Sequence, residues 1–111
     1  MLTFNFYETN IYELLKENYD DERIKAIYAS LPEEEQQILD YRIGINGDPL
    51  SRRAIAEAMS ITIDKVRGIE ERALKHLKHP ARIQYLNEVV DPNYRASDRA
   101  KEFFSKPNKK M

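Results

Sequence analysis

The residues best suited to chemistry in this chain are the basic side chains between positions 62 and 82. Six lysines and arginines stand there against three acids. Such groups neutralise phosphates, and the release of counterions makes the resulting affinity for DNA strongly dependent on salt. If the stretch is helical, a rotation of about 100° per residue from Val66 places a polar, partly basic face opposite the apolar one. That face and its flanks hold Asp64, Lys65, Arg67, Gly68, Glu71, Arg72 and Lys75. The alternative interpretation is a helical hairpin whose charges are simply solvated.

Other residue types that could carry chemistry are poorly placed for it. His76 and His79 are three residues apart, but zinc sites need three or four ligands and none follows at matching spacing. The acids at positions 33–35 suit the positive end of a helix dipole better than general acid/base catalysis. The chain has no cysteine, which removes thiolate metal sites and disulfides. We therefore predict no enzyme activity, no metal and no cofactor.

Two helices joined by a tight link would position the basic residues. Ser51 is a suitable N-cap for a short helix, and Thr62 for a longer one. The short helix has Ala56 as a small residue where its partner crosses, and Ile61 can point inward from the link. The longer helix has an apolar face at spacings of three and four, formed by Val66, Ile69, Ala73 and Leu77. This pattern predicts a helix-turn-helix at residues 51–78.

The remaining sequence predicts further helices around this unit. Asp21 is placed to cap one helix, Pro32 to begin another and Gly44 to end it, with a loop at residues 45–49. Pro80 begins a helix that breaks at residues 91–93, and a last short helix ends at residues 103–104. Residues 2–7 alternate weakly between apolar and polar, which indicates a strand or an extended arm. We expect the basic residues after 105 to form a mobile tail. The predicted fold class is all-α, with five to seven helices. Phe103 and Phe104 either anchor a partner or fold back on the core.

Composition bounds the class of protein. A length of 111 residues suits one domain, and 41% hydrophobic with 33% charged residues indicates a soluble globular chain. No apolar run approaches the roughly 20 residues of a membrane span, and the N-terminus does not resemble a secretory signal. We expect a cytoplasmic protein.

Charge is divided unequally along the chain. Residues 1–48 hold 4 Lys/Arg and 11 Asp/Glu, a net charge of −7, whereas residues 49–111 hold 14 and 8, a net +6. The total of −1 conceals two regions of opposite sign. This division predicts two surfaces with different partners, the basic one facing a polyanion. Ordinary charged helix faces are the alternative.

Several motifs together resemble region four of the bacterial sigma-70 family, in its primary and primary-like members. The similarity covers about half the chain, residues 31–82. It is carried by LPEEEQQIL at 31–39, YRIGI at 41–45, PLS at 49–51, IA at 55–56, VR at 66–67, IE at 69–70 and RALKHLKHP at 72–80.

The resemblance implies two partners: the −35 element of double-stranded promoter DNA, and the flap of the RNA polymerase β subunit. It implies a polymerase-binding concavity lined by Ile38, Leu39 and Ile43. It also implies a set of DNA-contacting residues in the helix-turn-helix: Ser51, Arg53, Thr62, Ile63, Asp64, Lys65, Arg67, Gly68, Arg72 and Lys75.

Two positions depart from the family pattern. Ile63 stands where the family usually has Arg or another polar residue, and Gly68 where it has Gln. Isoleucine can contact a thymine methyl but cannot donate to guanine, and glycine offers no side chain. Arg52 and Ala54 also replace an apolar and an acidic residue that are usual in the first helix.

We expect residues 1–30 to form a helical extension, 31–90 the region-four-like domain and 91–111 a basic tail. Residues 1–30 are too short to supply region two, which opens the −10 element, so we do not expect transcription initiation by this chain alone. A separate region-two protein or an anti-sigma factor are further partners to consider. The predicted function is a transcription initiation regulator that binds promoter DNA and polymerase. The alternative is a protein-interaction mimic that occupies the flap or binds an anti-sigma factor with little DNA binding.

Overall fold

The computed structural model describes residues 10–105, and over that range the regular secondary structure is entirely helical. The helices are α1 (Ile11–Glu17), α2 (Glu22–Ala29), α3 (Glu33–Ile43), α4 (Arg52–Met59), α5 (Ile63–Leu77), α6 (Pro80–Val90) and α7 (Asp98–Ser105). This confirms the predicted all-α class with a helix-turn-helix. The strand expected at residues 2–7 and the mobile tail after residue 105 lie outside the described residues. Within residues 10–105, each helix is too short or too polar to cross a membrane.

Local sequence sets the helix boundaries largely as predicted. The side chains of Asp21, Ser51 and Thr62 each accept a hydrogen bond from a backbone N–H in the first turn of the helix that follows. Gly44 ends α3 in the left-handed conformation, with φ of 71°. A Cβ there would lie 2.5 Å from the backbone nitrogen of Pro49, so this tight turn requires glycine. Pro32 caps α3 rather than beginning it, one residue from the predicted start.

Two apolar cores form at different positions along α3 and α5. The first core packs α1, α2 and α6 against the ends of α3 and α5 through Leu15, Ile27, Leu39, Leu77 and Leu86, among others. The second core holds the helix-turn-helix on the middle of α3 through Ile38, Ile55, Ala56, Val66 and Ile69. Because α3 and α5 contribute to both, the helix-turn-helix is fixed to the rest of the chain.

The C-terminal helix folds back along α6. Small side chains at Ala81, Ala96 and Ala100 form its packing seam. The ring of Phe104 stacks on Tyr85 with 4.2 Å between ring centroids, and Phe103 stacks on His79 at 4.6 Å. Folding back on the core therefore holds for Phe104, whereas Phe103 stacks on the exposed His79 and remains 37% exposed.

Two charged residues are buried although their types favour an exposed position. Arg82 belongs to the basic stretch 62–82 that is expected to bind phosphates, but it is only 7% exposed. Its Nε donates to Ser30 Oγ and its Nη1 to the His76 carbonyl, both at 2.9 Å. Glu35, one of the three acids expected at the positive end of a helix dipole, is 1% exposed, and its Oε1 lies 2.8 Å from His76 Nδ1. Glu35 is one helical turn before Leu39 and shares its buried face, which explains the difference.

Candidate nucleic-acid interface

The link between α4 and α5 has the geometry that a helix-turn-helix needs. Ser60 takes the left-handed conformation, with φ of 58°, and ends α4. The Ile61 N–H then donates to the Ala56 carbonyl at 3.0 Å, which closes the turn. Ala56 is buried and Ile61 packs against the second core, as the sequence predicted. The turn thereby sets the direction in which α5 leaves α4.

α5 has one buried and one exposed face. Val66, Ile69, Ala73 and Leu77 are buried as predicted. The polar face opposite is exposed at Asp64, Lys65, Arg67, Glu71, Arg72 and Lys75. Gly68 lies on this face with open space around it, since a Cβ would meet nothing closer than Arg72 Nη1 at 4.0 Å. The expected DNA-contacting residues of α5 are thus brought together on one surface, while their contact with DNA stays a prediction.

The remaining residues of the expected DNA set lie at the helix starts. Ser51, Arg53 and Thr62 are exposed. The hydroxyls of Ser51 and Thr62 accept capping hydrogen bonds, at 3.1 and 3.0 Å, and each keeps its own O–H proton to donate. Ile63 is half-buried and packs against the second core, so only part of its side chain faces solvent.

Acidic neighbours partly neutralise this face. Arg67 Nη1 lies 2.7 Å from Asp64 Oδ1, one turn earlier in α5. Arg72 Nη2 lies 3.6 Å from Glu34 Oε2 at the start of α3. All four side chains are at least 46% exposed. Ion pairs this exposed contribute little, so a phosphate can replace the carboxylate as the partner of either arginine.

One carboxylate on α5 does not face solvent. Glu70 is 1% exposed, and its two oxygens accept from Arg42 Nε and Arg52 Nε, both at 2.8 Å. The Tyr12 hydroxyl donates to the same carboxylate. Burial raises the pKa of Glu70, but the hydrogen bonds from Tyr12, Arg52 and Arg42 together hold it below its usual value. The network joins α1, α3 and α4 to the middle of α5.

The spacing of Glu70 in the sequence is a signal for this network. Glu70 is four residues after Val66 and therefore shares its buried face, where a charge requires a partner. Arg52, noted only as a departure from the family pattern, is one of those partners. Tyr12 could not have been assigned from spacing, because it lies 58 residues away in the chain.

The acidic half presents a separate surface next to the expected polymerase-binding residues. Ile38, Leu39 and Ile43 are themselves core residues, exposed by 2% or less. A cleft of about 390 Å³ opens beside them, lined by side chains that include Gln37, Asp40, Tyr41, Asp48 and Leu50. Burial raises the pKa of Asp40, although its Oδ1 accepts a hydrogen bond from the Tyr19 hydroxyl at 2.9 Å. Because Ile38, Leu39 and Ile43 are buried and do not line the cleft, their contact with polymerase stays a prediction.

A metal centre has no ligand set in the part of the chain that the structure describes. Nowhere in residues 10–105 do three His, Asp or Glu side chains converge as metal ligands would. The His76 ring instead pairs with Glu35, and His79 Nδ1 accepts from the Ala81 backbone to cap α6.

Comparison with known proteins gives one family model and a curated relative. The family model described as "Sigma-70, region 4" matches residues 29–79. The RNA polymerase sigma factor SigA of a Bacillus species is 31% identical over 81 residues, which is 72% of this chain and 20% of that protein. The chain thus spans about a fifth of the length of this curated relative. No solved structure matches the chain significantly.

Proposed function

Because residues 29–79 form a sigma-70 region 4 domain, we propose that this chain binds promoter DNA and RNA polymerase as a regulator of transcription initiation. DNA would contact the helix-turn-helix, with α5 as the recognition helix in the major groove. The flap of the polymerase β subunit would contact the cleft on the acidic half. This proposal assigns one partner to each of the two regions of opposite charge.

The proposed binding of DNA is supported mainly by the outer face of α5. It joins Lys65, Arg67, Arg72 and Lys75 on one exposed surface, while the inner face is held by the second core and by Glu70. A rigid helix with an exposed basic face meets the geometric and electrostatic needs of groove binding. Residues at the start of α5 are then nearest the base edges.

Salt dependence of binding to duplex DNA tests this part. We expect Lys75→Ala to weaken binding and to reduce the slope of log K against log salt by about 0.9, the value for one lost phosphate contact. Lys25→Ala is the matched control, because Lys25 is an exposed lysine on α2, outside the proposed interface. Fluorescence anisotropy on a random-sequence duplex measures both. Equal slopes for the wild type and Lys75→Ala would contradict a phosphate contact by Lys75.

Capture of purified RNA polymerase core tests the second partner. Substitution of the buried Leu39 would disturb the fold, so a surface change is needed. We expect Asp48→Lys to reduce capture at least about fivefold, because it reverses a charge at the cleft. Glu102→Lys makes the same reversal on α7 and should bind as the wild type does. Equal capture by all three chains would exclude the cleft as the polymerase contact.

A second candidate function is a protein-interaction mimic with little DNA binding. It is favoured by the acids that already pair with Arg67 and Arg72, and by Ile63 and Gly68, which offer no polar side chain to bases. The occupant of the cleft would then be the flap or an anti-sigma factor. Unchanged regulation in Arg67→Ala and Lys75→Ala, with loss in Asp48→Lys, would favour this candidate.

A further inference from the structure

A hydrogen bond joins the first helix of the described chain to the recognition helix. The Tyr12 hydroxyl on α1 donates to Glu70 Oε2 at the middle of α5. Tyr12 precedes the matched residues 29–79, so this contact is additional to the region 4 domain. It requires its own explanation, because burial of the tyrosine ring alone would not direct the hydroxyl to this carboxylate.

The surroundings of the hydroxyl fix it in place. The Arg42 guanidinium carbon lies 5.5 Å from the centroid of the Tyr12 ring, and Arg42 Nε donates to the same oxygen of Glu70. Arg52 Nε donates to the other oxygen. Three donors from three helices thus converge on one carboxylate that is 1% exposed. They restrain both the rotation of α5 about its axis and its movement along that axis.

The donor and acceptor keep their roles over the physiological pH range. Burial, followed by the hydrogen bond to Glu70, raises the pKa of the Tyr12 hydroxyl far above its usual value, so the proton stays on the tyrosine. The pKa of Glu70 is below its usual value, so the carboxylate stays charged. A change of pH within that range therefore does not break the contact.

Accurate placement of α5 is most important for the side chains at its start, because these would contact the DNA bases. Glu70 is within one turn of Arg67 and about two turns of Ile63 and Asp64. Base contacts need side chains held within about 0.5 Å of their productive geometry, whereas long basic side chains can follow a phosphate over larger distances. A loosened α5 should therefore lose sequence discrimination before it loses general affinity.

We infer that Tyr12 is a positioning residue for the recognition helix, and that α1 thereby contributes to discrimination between DNA sequences. This inference rests on the proposed binding of promoter DNA. It assigns a function to an element that lies before the matched family domain.

Tyr12→Phe tests the inference, because it retains the ring beneath Arg42 and removes only the donor. Tyr19→Phe is a closely matched control. Tyr19 lies just after α1, and its hydroxyl also donates to a carboxylate, Asp40 Oδ1 at 2.9 Å. That carboxylate is on α3 and not on α5. Each variant loses one tyrosine–carboxylate hydrogen bond that involves the N-terminal segment. Only Tyr12→Phe loses a hydrogen bond to α5.

The first measurement is a ratio of affinities. A duplex enriched from a random pool by the wild-type chain serves as the specific probe, and poly(dI-dC) as the non-specific one. We expect Tyr12→Phe to lower the specific-to-non-specific ratio about threefold or more, a change typical of one lost hydrogen bond. Tyr19→Phe should leave the ratio unchanged within error.

The second measurement uses the protein without DNA, so it tests the positioning role of Tyr12 separately from the proposed DNA binding. Amide hydrogen exchange in α5 near Glu70 should accelerate in Tyr12→Phe and not in Tyr19→Phe. Equal exchange, or an equal fall of the ratio in both variants, would overturn the positioning role. If the wild-type chain enriches no duplex, the proposed DNA binding fails, and the contribution to discrimination fails with it. A difference in exchange would then uphold only the restraint on α5.

Discussion

Arg72 and Glu34 illustrate how single residues set the charge of the proposed interface. Arg72 is central to the outer face of α5, yet Glu34 at the start of α3 lies 3.6 Å from it. The acid therefore competes with a phosphate for the same arginine. It also places a negative charge beside the surface that DNA would approach.

We expect Glu34→Gln to raise affinity for non-specific duplex DNA by up to about fivefold, because an exposed ion pair of this kind is worth ~0.2–1 kcal/mol. Fluorescence anisotropy at low salt measures the change, which should diminish as salt screens the charges. Glu33→Gln is the matched control. Glu33 is also exposed at the start of α3, and it forms no ion pair within residues 10–105. The same gain in both variants would assign the effect to net charge rather than to Arg72.

At the scale of elements, the turn of the helix-turn-helix contains a strained residue. Ser60 has a positive φ without being glycine or asparagine, and its side chain is exposed. The Cβ atom makes this conformation costly for an L-residue, by about 1–2 kcal/mol. The strain is tolerated because Ile61 and Ala56 close the turn around it.

Ser60→Gly should therefore stabilise the chain by about 0.5–1 kcal/mol, after allowance for the greater backbone entropy of glycine in the unfolded state. The melting temperature should rise by about 3–6 °C. Ser60→Ala keeps the Cβ atom and should show no such rise. Thermal unfolding followed by circular dichroism compares the three proteins, and a rise in Ser60→Ala as large as in Ser60→Gly would refute the strain at this turn.

Elements were largely predictable from the sequence because their signals are local. Asp21, Ser51, Thr62 and Gly44 each act within a few residues of their own position, and all four end or begin helices as expected. The exposed face of α5 followed from helical spacing in the same way. The strained conformation of Ser60 was not predictable, because a serine gives no sequence signal for a positive φ.

Contacts across the molecule were not predictable, because their partners are far apart in the chain. Glu35 meets His76 across 41 residues, and Arg82 meets Ser30 across 52. Helical periodicity predicts that Glu70 faces inward, but it does not predict that Tyr12 donates a hydrogen bond to it. The expected division of the chain at residues 30 and 90 stays a prediction. In the described range, α1 and α2 share the first core with α5 and α6.

At the scale of the whole molecule, Glu70 makes stability depend on acid. Its folded-state pKa is lowered relative to the unfolded chain. A carboxylate shifted in this direction contributes stability that is present above its unfolded pKa, about 4.3, and is lost as pH falls through its folded pKa. The network should therefore weaken below about pH 4.

We expect Glu70→Gln to cost about 2 kcal/mol or more at pH 7, because Arg42 and Arg52 lose a charged partner. The difference from the wild type should shrink as the pH is lowered from 5 to 3, since the wild-type glutamate becomes protonated. Urea unfolding across that range measures it. A difference that stays constant with pH would show that the charge of Glu70 contributes nothing.

The attachment of α5 to both cores limits how much sequence the chain could recognise. The segment from Thr62 to Gly68 lies beyond the first core and spans about 10 Å along the helix, or roughly three base pairs. Within it, Ile63 and Gly68 offer bases no polar side chain. Three base pairs at ~1–3 kcal/mol each give ~3–9 kcal/mol in total, and only the upper end of that range reaches the ~8 kcal/mol needed against ~10⁶ competing genomic sites. Without polar side chains at positions 63 and 68, α5 should stay below that upper end. If the chain acts on promoters, most of the information that locates them must therefore come from a second DNA contact made by its partner.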